Sequence, residues 1–287
     1  MLIEIKNLKK YYPVQGGFLR KTQSLVKAVD GVDLFVREKE NLGIVGESGC
    51  GKTTLVRVMA KLVPATSGEI VIGGKDVTTV SGRAYQPYRS SVQMVFQDPY
   101  SSLDPRFTVY KIIEEAFYNL PAMDRSKKES RVREILKAVQ LPLDILNRFP
   151  HEFSGGERQR IAIARALVVS PRLLILDEAV SSLDVLVQKQ ILDLLETLQQ
   201  QFNCTYVFIS HNLRVVAKIS DRIAVMFKGK IVELGPTQEI LKNPLHPYTK
   251  SLLLAAIKYK SSLGNEDFSL ASSAQIRDAG NGHFVLD

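Results

Sequence analysis

A glycine-rich turn between two structured segments constrains this chain more than any other feature. The short apolar run NLGIV precedes GESGCGKTT, and TTLVRVMAKLV then shows the apolar periodicity of a helix that ends before Pro64. Backbone N–H groups can turn inward around phosphate oxygens where glycines leave room for them. The strand–turn–helix context is the one that the phosphate-loop spacing G-x-x-x-x-G-K-[ST] needs. That spacing is met by Gly46, Gly51, Lys52 and Thr53.

The chemistry of this loop predicts a nucleotide site with magnesium. Lys52 can reach the β- and γ-phosphates, the Thr53 hydroxyl can ligate Mg²⁺, and the following helix points its N-terminus at the same anion. The alternative is a glycine-rich connecting turn without a ligand. The residues assigned to ATP binding here are Gly46, Glu47, Ser48, Gly49, Cys50, Gly51, Lys52, Thr53 and Thr54.

A pair of acidic residues closes the most apolar segment, LLILDE at 173–178. A phosphate site needs a second carboxylate for the metal and a group that orients water. Asp177 is expected to bind Mg²⁺, through water, and Glu178 to act as general base or to polarise the attacking water. The alternative is a solvated cap at the end of a buried strand.

The order of apolar patterns predicts an α/β fold. Strand candidates alternate with helix candidates, which indicates a mainly parallel core. LIEIKNL, KAVDGVDLFV with a turn at Asp30-Gly31, and the hairpin SGEIVIGGKDV are expected near the N-terminus. TVYKIIEEAFYNL, SKKESRVREILKAVQL and PLDILNRF read as successive amphipathic helices inserted into that core.

Composition narrows the classes of function. Thirty-eight Lys plus Arg against 30 acids give a net charge of +8, which could favour nucleic acid, an anionic membrane face or phosphate ligands. The alternative is that the lysines are scattered over a solvated surface, because the sequence has no long basic block and FLRKTQSLVK is the densest early cluster. Cys50 and Cys204 with four histidines offer no disulfide framework and no metal-ligand spacing. The N-terminus lacks the apolar core of a signal peptide, so we expect a cytosolic chain.

At this point the sequence resembles the ATP-binding-cassette (ABC) ATPases over almost its whole length. FSGGERQR at 153–160 is similar to the family signature L-S-G-G-Q, from which Phe153 and Glu157 depart. A hydroxyl, exposed N–H groups and a helix start make a second anion site there. The resemblance implies contact with the γ-phosphate held by a partner subunit in a head-to-tail dimer, and the alternative is a ligand-free helix start. The residues concerned are Ser154, Gly155, Gly156 and Glu157.

The resemblance implies further roles for single residues. Gln97 in VFQDP would contact the metal and link hydrolysis to a membrane partner, and Asp184 in SSLD would lie in the loop between subunits. His211 in FISHN would sense or stabilise the γ-phosphate, although Asn212 replaces the usual Asp. Without the resemblance, Gln97 is an ordinary strand end and His211 a structural histidine.

The resemblance also implies an adenine contact and a domain layout. Tyr12, or its neighbour Tyr11, would stack on adenine, unless KKYYP is only an exposed turn. The fold implied is a P-loop NTPase (RecA-like) core with an N-terminal antiparallel β subdomain and an inserted α-helical subdomain. The predicted bounds are 1–97 with 161–235 for the core, 98–160 for the helical subdomain, and 236–287 for a C-terminal extension that is loose from about 262.

Two segments narrow the resemblance to one group. MVFQDPYSSLDPR and NPLHPYT are similar to bacterial importers of oligopeptides, dipeptides or nickel chelates, and the layout is similar to the second ATPase of such a pair. This implies an ATPase on the cytoplasmic face of the inner membrane, working with a second ABC ATPase, two permeases and an extracytoplasmic binding protein. The segment after HPYT contains no cysteine, so no cysteine-bound cluster is inferred there.

Two other functions stay open at this stage, a soluble ABC-type ATPase acting on nucleic acid or ribosomes, and a regulatory subunit without turnover. The sequence also leaves open which ligand is transported, whether the working pair is a homodimer or a heterodimer, and whether the two ATP sites are equally active.

Overall fold

The structure is a computed structural model that describes residues 1–14, 24–121, 123–257 and 276–286. Most of the FLRKTQSLVK cluster and the tail between 258 and 275 lie outside these residues. The chain divides into two compact units: residues 1–79 with 208–287 form the first unit, and residues 80–207 form the second. The domain bounds expected from the sequence differ from this division and stay a prediction.

The secondary structure of the described residues alternates strands and helices. The strands are β1 (Ile3–Val14), β2 (Ser24–Val36), β3 (Asn41–Val45), β4 (Ser67–Ile72), β5 (Lys75–Asp76), β6 (Val92–Val95), β7 (Leu173–Asp177), β8 (Thr205–Ser210), β9 (Arg222–Phe227), β10 (Lys230–Pro236), β11 (Ile276–Gly280) and β12 (His283–Leu286). The α-helices are α1 (Lys52–Met59), α2 (Gln86–Ser91), α3 (Pro99–Ser102), α4 (Val109–Glu114), α5 (Arg125–Ala138), α6 (Gly155–Leu167), α7 (Val185–Phe202), α8 (Leu213–Ile219), α9 (Thr237–Lys242) and α10 (Pro247–Ile257).

An antiparallel sheet of four strands lies in the first unit, in the order β2-β1-β4-β5. Its apolar side chains alternate along β1, so that Ile3 and Ile5 are buried while the residue between them is more exposed. The predicted hairpin is present, because β4 and β5 pair across Gly73-Gly74. The predicted turn at Asp30-Gly31 is wrong. Gly31 has φ +72° within β2, where the pairing with β1 shifts register instead of reversing the chain.

A second set of strands in the first unit carries the phosphate loop. β3 pairs with β9 in parallel, and every residue of both strands is buried, which fits strands covered on both faces. α8 packs closely on β3, since a Cβ added at Gly43 would lie 2.1 Å from Val216 Cγ1. β9 turns back into antiparallel β10 around Lys228-Gly229.

The end of the chain differs from the expectation of a loose tail. β12 pairs antiparallel with β10, and β11 pairs with β12, so residues 276–286 form a hairpin on the sheet. His283 and Leu286 of this hairpin are buried. For these residues the predicted loose tail is therefore wrong.

The second unit combines a parallel strand pair with helices. β6 pairs with β7 in register from Val92 opposite Leu173 to Val95 opposite Leu176. α4 and α5 begin at capping residues Thr108 and Asp124, whose side chains accept backbone N–H groups, as helix starts favour. The predicted helix in PLDILNRF is wrong, because the segment forms only a 3₁₀ turn, Leu143–Asn147.

No helix in the described ranges of the chain is long and apolar enough to cross a membrane.

Candidate nucleotide-binding site

The loop after β3 has a backbone that only glycine allows at two positions. Gly51 has φ +113°, and a Cβ there would lie 2.0 Å from the Ala28 carbonyl oxygen. A Cβ at Gly46 would lie 2.1 Å from the Met226 carbonyl oxygen. The loop therefore rests directly on neighbouring backbone, which fixes the entry to α1 at Lys52.

The Lys52 ammonium lies inside this loop. Its side chain is buried, and Nζ donates to the carbonyl oxygens of Gly46 at 2.7 Å and Glu47 at 2.8 Å. Nζ also lies 3.8 Å from the Cys50 sulfur. A buried positive charge surrounded by neutral acceptors favours an anionic ligand, because hydrogen bonds to phosphate oxygens are stronger than these.

Cys50 supports the loop as an apolar residue. Burial raises the pKa of its thiol, against the opposing effect of nearby Lys52, so the thiol stays protonated at neutral pH. Its amide N–H donates to the Glu47 carbonyl, and its own carbonyl accepts from Gly229. The residue holds the loop in shape.

The start of the loop and His211 line one cavity of about 450 Å³ in the first unit. Glu47 and Ser48 form one side of it, and the start of α8 and Leu252, Ala255 and Ala256 of α10 form the others. His211 follows β8 directly and is exposed. Asn212 caps α8, since its side chain accepts from the Arg214 N–H at 3.0 Å. At this position an asparagine fills the same capping role as an aspartate without its charge.

The two tyrosines near the N-terminus differ in their surroundings. The Tyr11 hydroxyl donates to Asp30, and this bond raises the pKa of Tyr11 to about 12. Tyr12 is exposed, with the Lys10 ammonium 4.9 Å from its ring centroid. Tyr12 therefore has the more accessible ring.

In the second unit, the acidic pair lies at the end of β7, a strand that is buried at every residue. Asp177 ends β7 with 1% of its surface exposed. Glu178 has φ +48°, a left-handed backbone that is uncommon outside glycine and is often found at functional sites. The Ser181 N–H and hydroxyl donate to the Glu178 carbonyl at 3.0 and 2.9 Å. The Gln97 side chain contacts the Glu178 carboxylate, at 3.1 Å.

The signature segment forms a capped helix start. Ser154 precedes α6, its hydroxyl donates to Glu157 Oε2 at 2.7 Å, and its N–H donates to the same oxygen at 2.9 Å. These bonds lower the pKa of the Glu157 carboxyl, so that it is charged at neutral pH. The Glu157 N–H completes the capping box by donating to Ser154 Oγ at 3.4 Å.

The predicted inter-subunit loop contacts this helix start. Asp184 caps α7 by accepting from the Val187 N–H at 2.9 Å. A Cβ added at Gly156 would lie 2.6 Å from Val187 Cγ1, whereas Gly155 has ordinary space. Asp184 therefore fixes the turn of α7 whose Val187 side chain requires a glycine in the signature.

One contact is not predicted from the sequence, where HPYT indicates only a family resemblance. The Tyr248 hydroxyl accepts from the Glu47 N–H at 3.0 Å, which joins α10 to the phosphate loop. No local signal predicts this contact, because the two residues lie 201 positions apart.

A phosphate loop after a buried parallel strand, with an acidic strand end and a capped signature helix, defines a P-loop ATPase of the cassette type. Residues 29–181 match the family described as ABC transporter, and this chain belongs to that family. Residues 232–279 match the oligopeptide/dipeptide transporter C-terminal region. The predicted family and ATPase activity are confirmed, and the ABC domain implies ATP binding.

Three of the relatives found by sequence carry oligopeptide transport in their names. The oligopeptide transport ATP-binding protein AppF of Bacillus subtilis is 48% identical over 88% of this chain and 77% of that protein. OppF of the same organism is 43% identical over 99% of this chain and 95% of that protein. OppF of Escherichia coli is 45% identical, covering 89% and 77%.

Solved cassettes confirm the predicted fold class. A dimeric ATP-binding cassette in a post-hydrolysis state, bound to ADP and Pi, superposes with a TM-score of 0.72 at 27% identity, covering 82% of this chain and 98% of that one. CbiO1 of Clostridium perfringens, part of an ABC transporter complex, gives 0.72 at 26% identity, covering 84% and 91%.

Proposed function

We propose that this chain is the ATP-hydrolysing, energy-coupling subunit of a bacterial importer for oligopeptides, dipeptides or a related ligand such as a nickel chelate. The observation that carries the proposal is the presence of an ABC domain and an oligopeptide-type C-terminal region in one chain. The contact between Tyr248 and the phosphate loop ties these two parts together.

ATP is bound by the loop from Gly46 to Thr54, with Lys52 on the β- and γ-phosphates and Tyr12 stacked on adenine. The donor set fits magnesium, because hydroxyl, carboxylate and amide oxygens are the hard ligands that Mg²⁺ prefers. Thr53, Asp177 and Gln97 would hold the ion, which would neutralise charge developing on the phosphates.

Water attack is assigned to residues that follow the ends of three strands, β6, β7 and β8. Glu178 takes the proton of the attacking water, and His211 stabilises the γ-phosphate. Gln97 also orients the Glu178 carboxylate through the bond at 3.1 Å. Glu178 and His211 directly follow β7 and β8, and Gln97 comes after β6 with only Phe96 between them.

Two cassettes close around two nucleotides in the working state. The segment from Ser154 to Glu157 contacts the γ-phosphate bound by the opposite subunit, and Asp184 lies in the loop between the subunits. We assign a second ABC ATPase as partner in a heterodimer, with two integral-membrane permeases and an extracytoplasmic binding protein. The chain is then peripheral on the cytoplasmic face of the inner membrane.

The proposed domains keep the bounds predicted from the sequence. Residues 1–97 with 161–235 form the nucleotide-binding core, 98–160 the helical subdomain that meets the permease, and 236–287 the C-terminal extension.

A pull-down from gently solubilised membranes, with this chain tagged, tests the proposal. Co-purification of two permeases and a second ABC ATPase is expected, and the same experiment with the tag on an unrelated soluble protein is the control. Recovery with ribosomes or DNA and without integral-membrane proteins would favour a soluble ABC-type ATPase instead.

A further inference from the structure

We infer that Tyr248 is a positioning residue for ATP binding, held against the phosphate loop by contacts with His246, Glu233 and His283. The inference rests on the proposed function, because it assigns a role in the same nucleotide site. Its central observation is the 3.0 Å hydrogen bond that the Glu47 N–H donates to the Tyr248 hydroxyl. Both residues lie in the first unit.

The Tyr248 ring is fixed in place before it meets the loop. Only 1% of the residue is exposed, and its ring lies 4.3 Å from that of Phe227, centroid to centroid. Burial raises the pKa of the hydroxyl, so it remains a neutral acceptor for the Glu47 N–H. Phe227 follows Met226 in β9. The Met226 carbonyl oxygen leaves no room for a side chain at Gly46. β9 and Tyr248 therefore hold the same end of the loop.

The bond to Tyr248 determines where the Lys52 ammonium lies. Glu47 donates its N–H to Tyr248 and accepts from Lys52 Nζ with its carbonyl oxygen, at 2.8 Å. The peptide group before Glu47 is therefore held by Tyr248, and the peptide group after Glu47 is held by Lys52. The amide contact to α10 limits the rotation of this segment, and the acceptor that orients Lys52 stays in place.

Tyr248 is itself positioned by a buried carboxylate. Its N–H donates to His246 Nδ1 at 3.1 Å, and the His246 N–H donates to Glu233 at 3.0 Å. Glu233 also accepts from the Leu245 N–H at 2.8 Å and lies 2.7 Å from His283 Nε2. A continuous set of contacts therefore runs from the terminal hairpin through Glu233 to the phosphate loop.

Helix α10, which carries Tyr248, also forms part of the cavity beside the phosphate loop. Leu252, Ala255 and Ala256 of α10 line it together with Ser48 and His211. Removing the Tyr248 hydroxyl would leave this wall in place, since the ring still packs on Phe227. The loss would then act on loop order, and ATP would have to restore that order on binding.

The test compares Tyr248→Phe with Tyr206→Phe in the full chain. Tyr206 is equally buried, and its hydroxyl donates to the Leu195 carbonyl at 3.1 Å, in the second unit. Tyr248→Phe is expected to raise the KM and Kd for ATP about 3- to 10-fold, the usual size of one lost hydrogen bond, with kcat changed less than about twofold. Tyr206→Phe is expected to leave both constants as they are.

Equal ATP affinity of Tyr248→Phe and the unsubstituted chain would overturn the positioning role and leave the proposed function intact. The same loss in both tyrosine variants would also overturn it, since a general loss of stability would then explain the effect. Absence of ATP binding by the unsubstituted chain would overturn the proposed function itself, and the positioning role with it.

Glu47→Pro removes the donor of the same bond, and the backbone of Glu47 is not left-handed. If the bond carries the effect, combining Glu47→Pro with Tyr248→Phe lowers ATP affinity no more than Glu47→Pro alone. Additive losses would contradict the proposal.

Discussion

The side-chain amide of Gln97 donates a hydrogen bond to the Glu178 carboxylate, with 3.1 Å between Nε2 and Oε2. One residue follows β6 and the other follows β7, and these strands pair in parallel. Since parallel strands end at the same sheet edge, the contact follows directly from the pairing. It gives Gln97 a part in orienting the proposed base as well as the metal contact that the resemblance implies.

Glu178→Gln is expected to keep ATP binding and to lower turnover by about 10²- to 10⁴-fold, the usual contribution of a general base. Glutamine keeps the size of the side chain and can still meet Gln97, so only the proton acceptor is lost. Steady-state phosphate release and ATP binding are the two measurements. The exposed Glu196 of α7 supplies the control Glu196→Gln, and hydrolysis within threefold of the unsubstituted chain by Glu178→Gln would refute the assignment.

Lys52→Ala is expected to weaken ATP binding by about 10- to 100-fold, because it removes hydrogen bonds from a charged donor. Lys61→Ala is a matched control, since Lys61 Nζ also donates to a backbone carbonyl, that of Thr78 at 2.9 Å. Titration with a fluorescent ATP analogue measures both. If the two variants lost affinity equally, Lys52 would have only a structural role.

Glu157→Gln is expected to strengthen ATP-dependent dimerisation about 2- to 10-fold, since a carboxylate at the start of α6 repels the γ-phosphate proposed to bind there. Glutamine can still accept from the Ser154 N–H, so the capping box survives. Sedimentation with ATP, in a Glu178→Gln background, measures the dimer. The gain should shrink at high salt.

Glu152→Gln is the control for this charge effect. Glu152 accepts from the Phe149 N–H and lies outside the signature helix. An equal gain in that variant, or weaker dimerisation of Glu157→Gln, would show that the Glu157 charge does not oppose nucleotide binding at this helix.

Stability is expected to fall with acid because of His246. Burial lowers the pKa of this histidine below its ordinary 6.5, while Glu233 opposes the shift. The contribution of neutral His246 to the free energy of unfolding is therefore fully present above the unfolded-state pKa of about 6.5. It is lost as the pH falls from there through the lower pKa of the folded state. Thermal unfolding measured from about pH 7.5 to about pH 5.5 should show a smaller decrease for His246→Asn, which does not titrate. An identical pH dependence in the variant would exclude this source.

Contiguous motifs could be predicted from the sequence because their geometry is local. Gly46, Gly51, Lys52 and Thr53 lie in one short loop, so the spacing of the motif predicts the loop itself. The bonds from Lys52 Nζ to the Gly46 and Glu47 carbonyls lie within that loop and were not predicted. The capped start of α6 at Ser154 is similarly encoded within four residues.

Contacts between distant segments could not be predicted in this way. Gln97 and Glu178 lie 81 positions apart, and Glu47 and Tyr248 lie 201 apart, so only the fold brings each pair together. The terminal hairpin was missed because β11 is exposed at every residue and has no apolar alternation. Its partner β12 is placed by pairing with β10, which the composition of residues 276–286 does not indicate.

ATP hydrolysis by this chain is expected to drive peptide import. The direct measurement is uptake of a labelled oligopeptide by cells that lack the chain and carry it again as the unsubstituted form or as Glu178→Gln. Uptake restored by the unsubstituted form and absent with Glu178→Gln is the predicted result. Equal uptake by cells that carry the unsubstituted form and cells that carry Glu178→Gln would contradict this coupling. Equal uptake by cells that carry neither form would also contradict it.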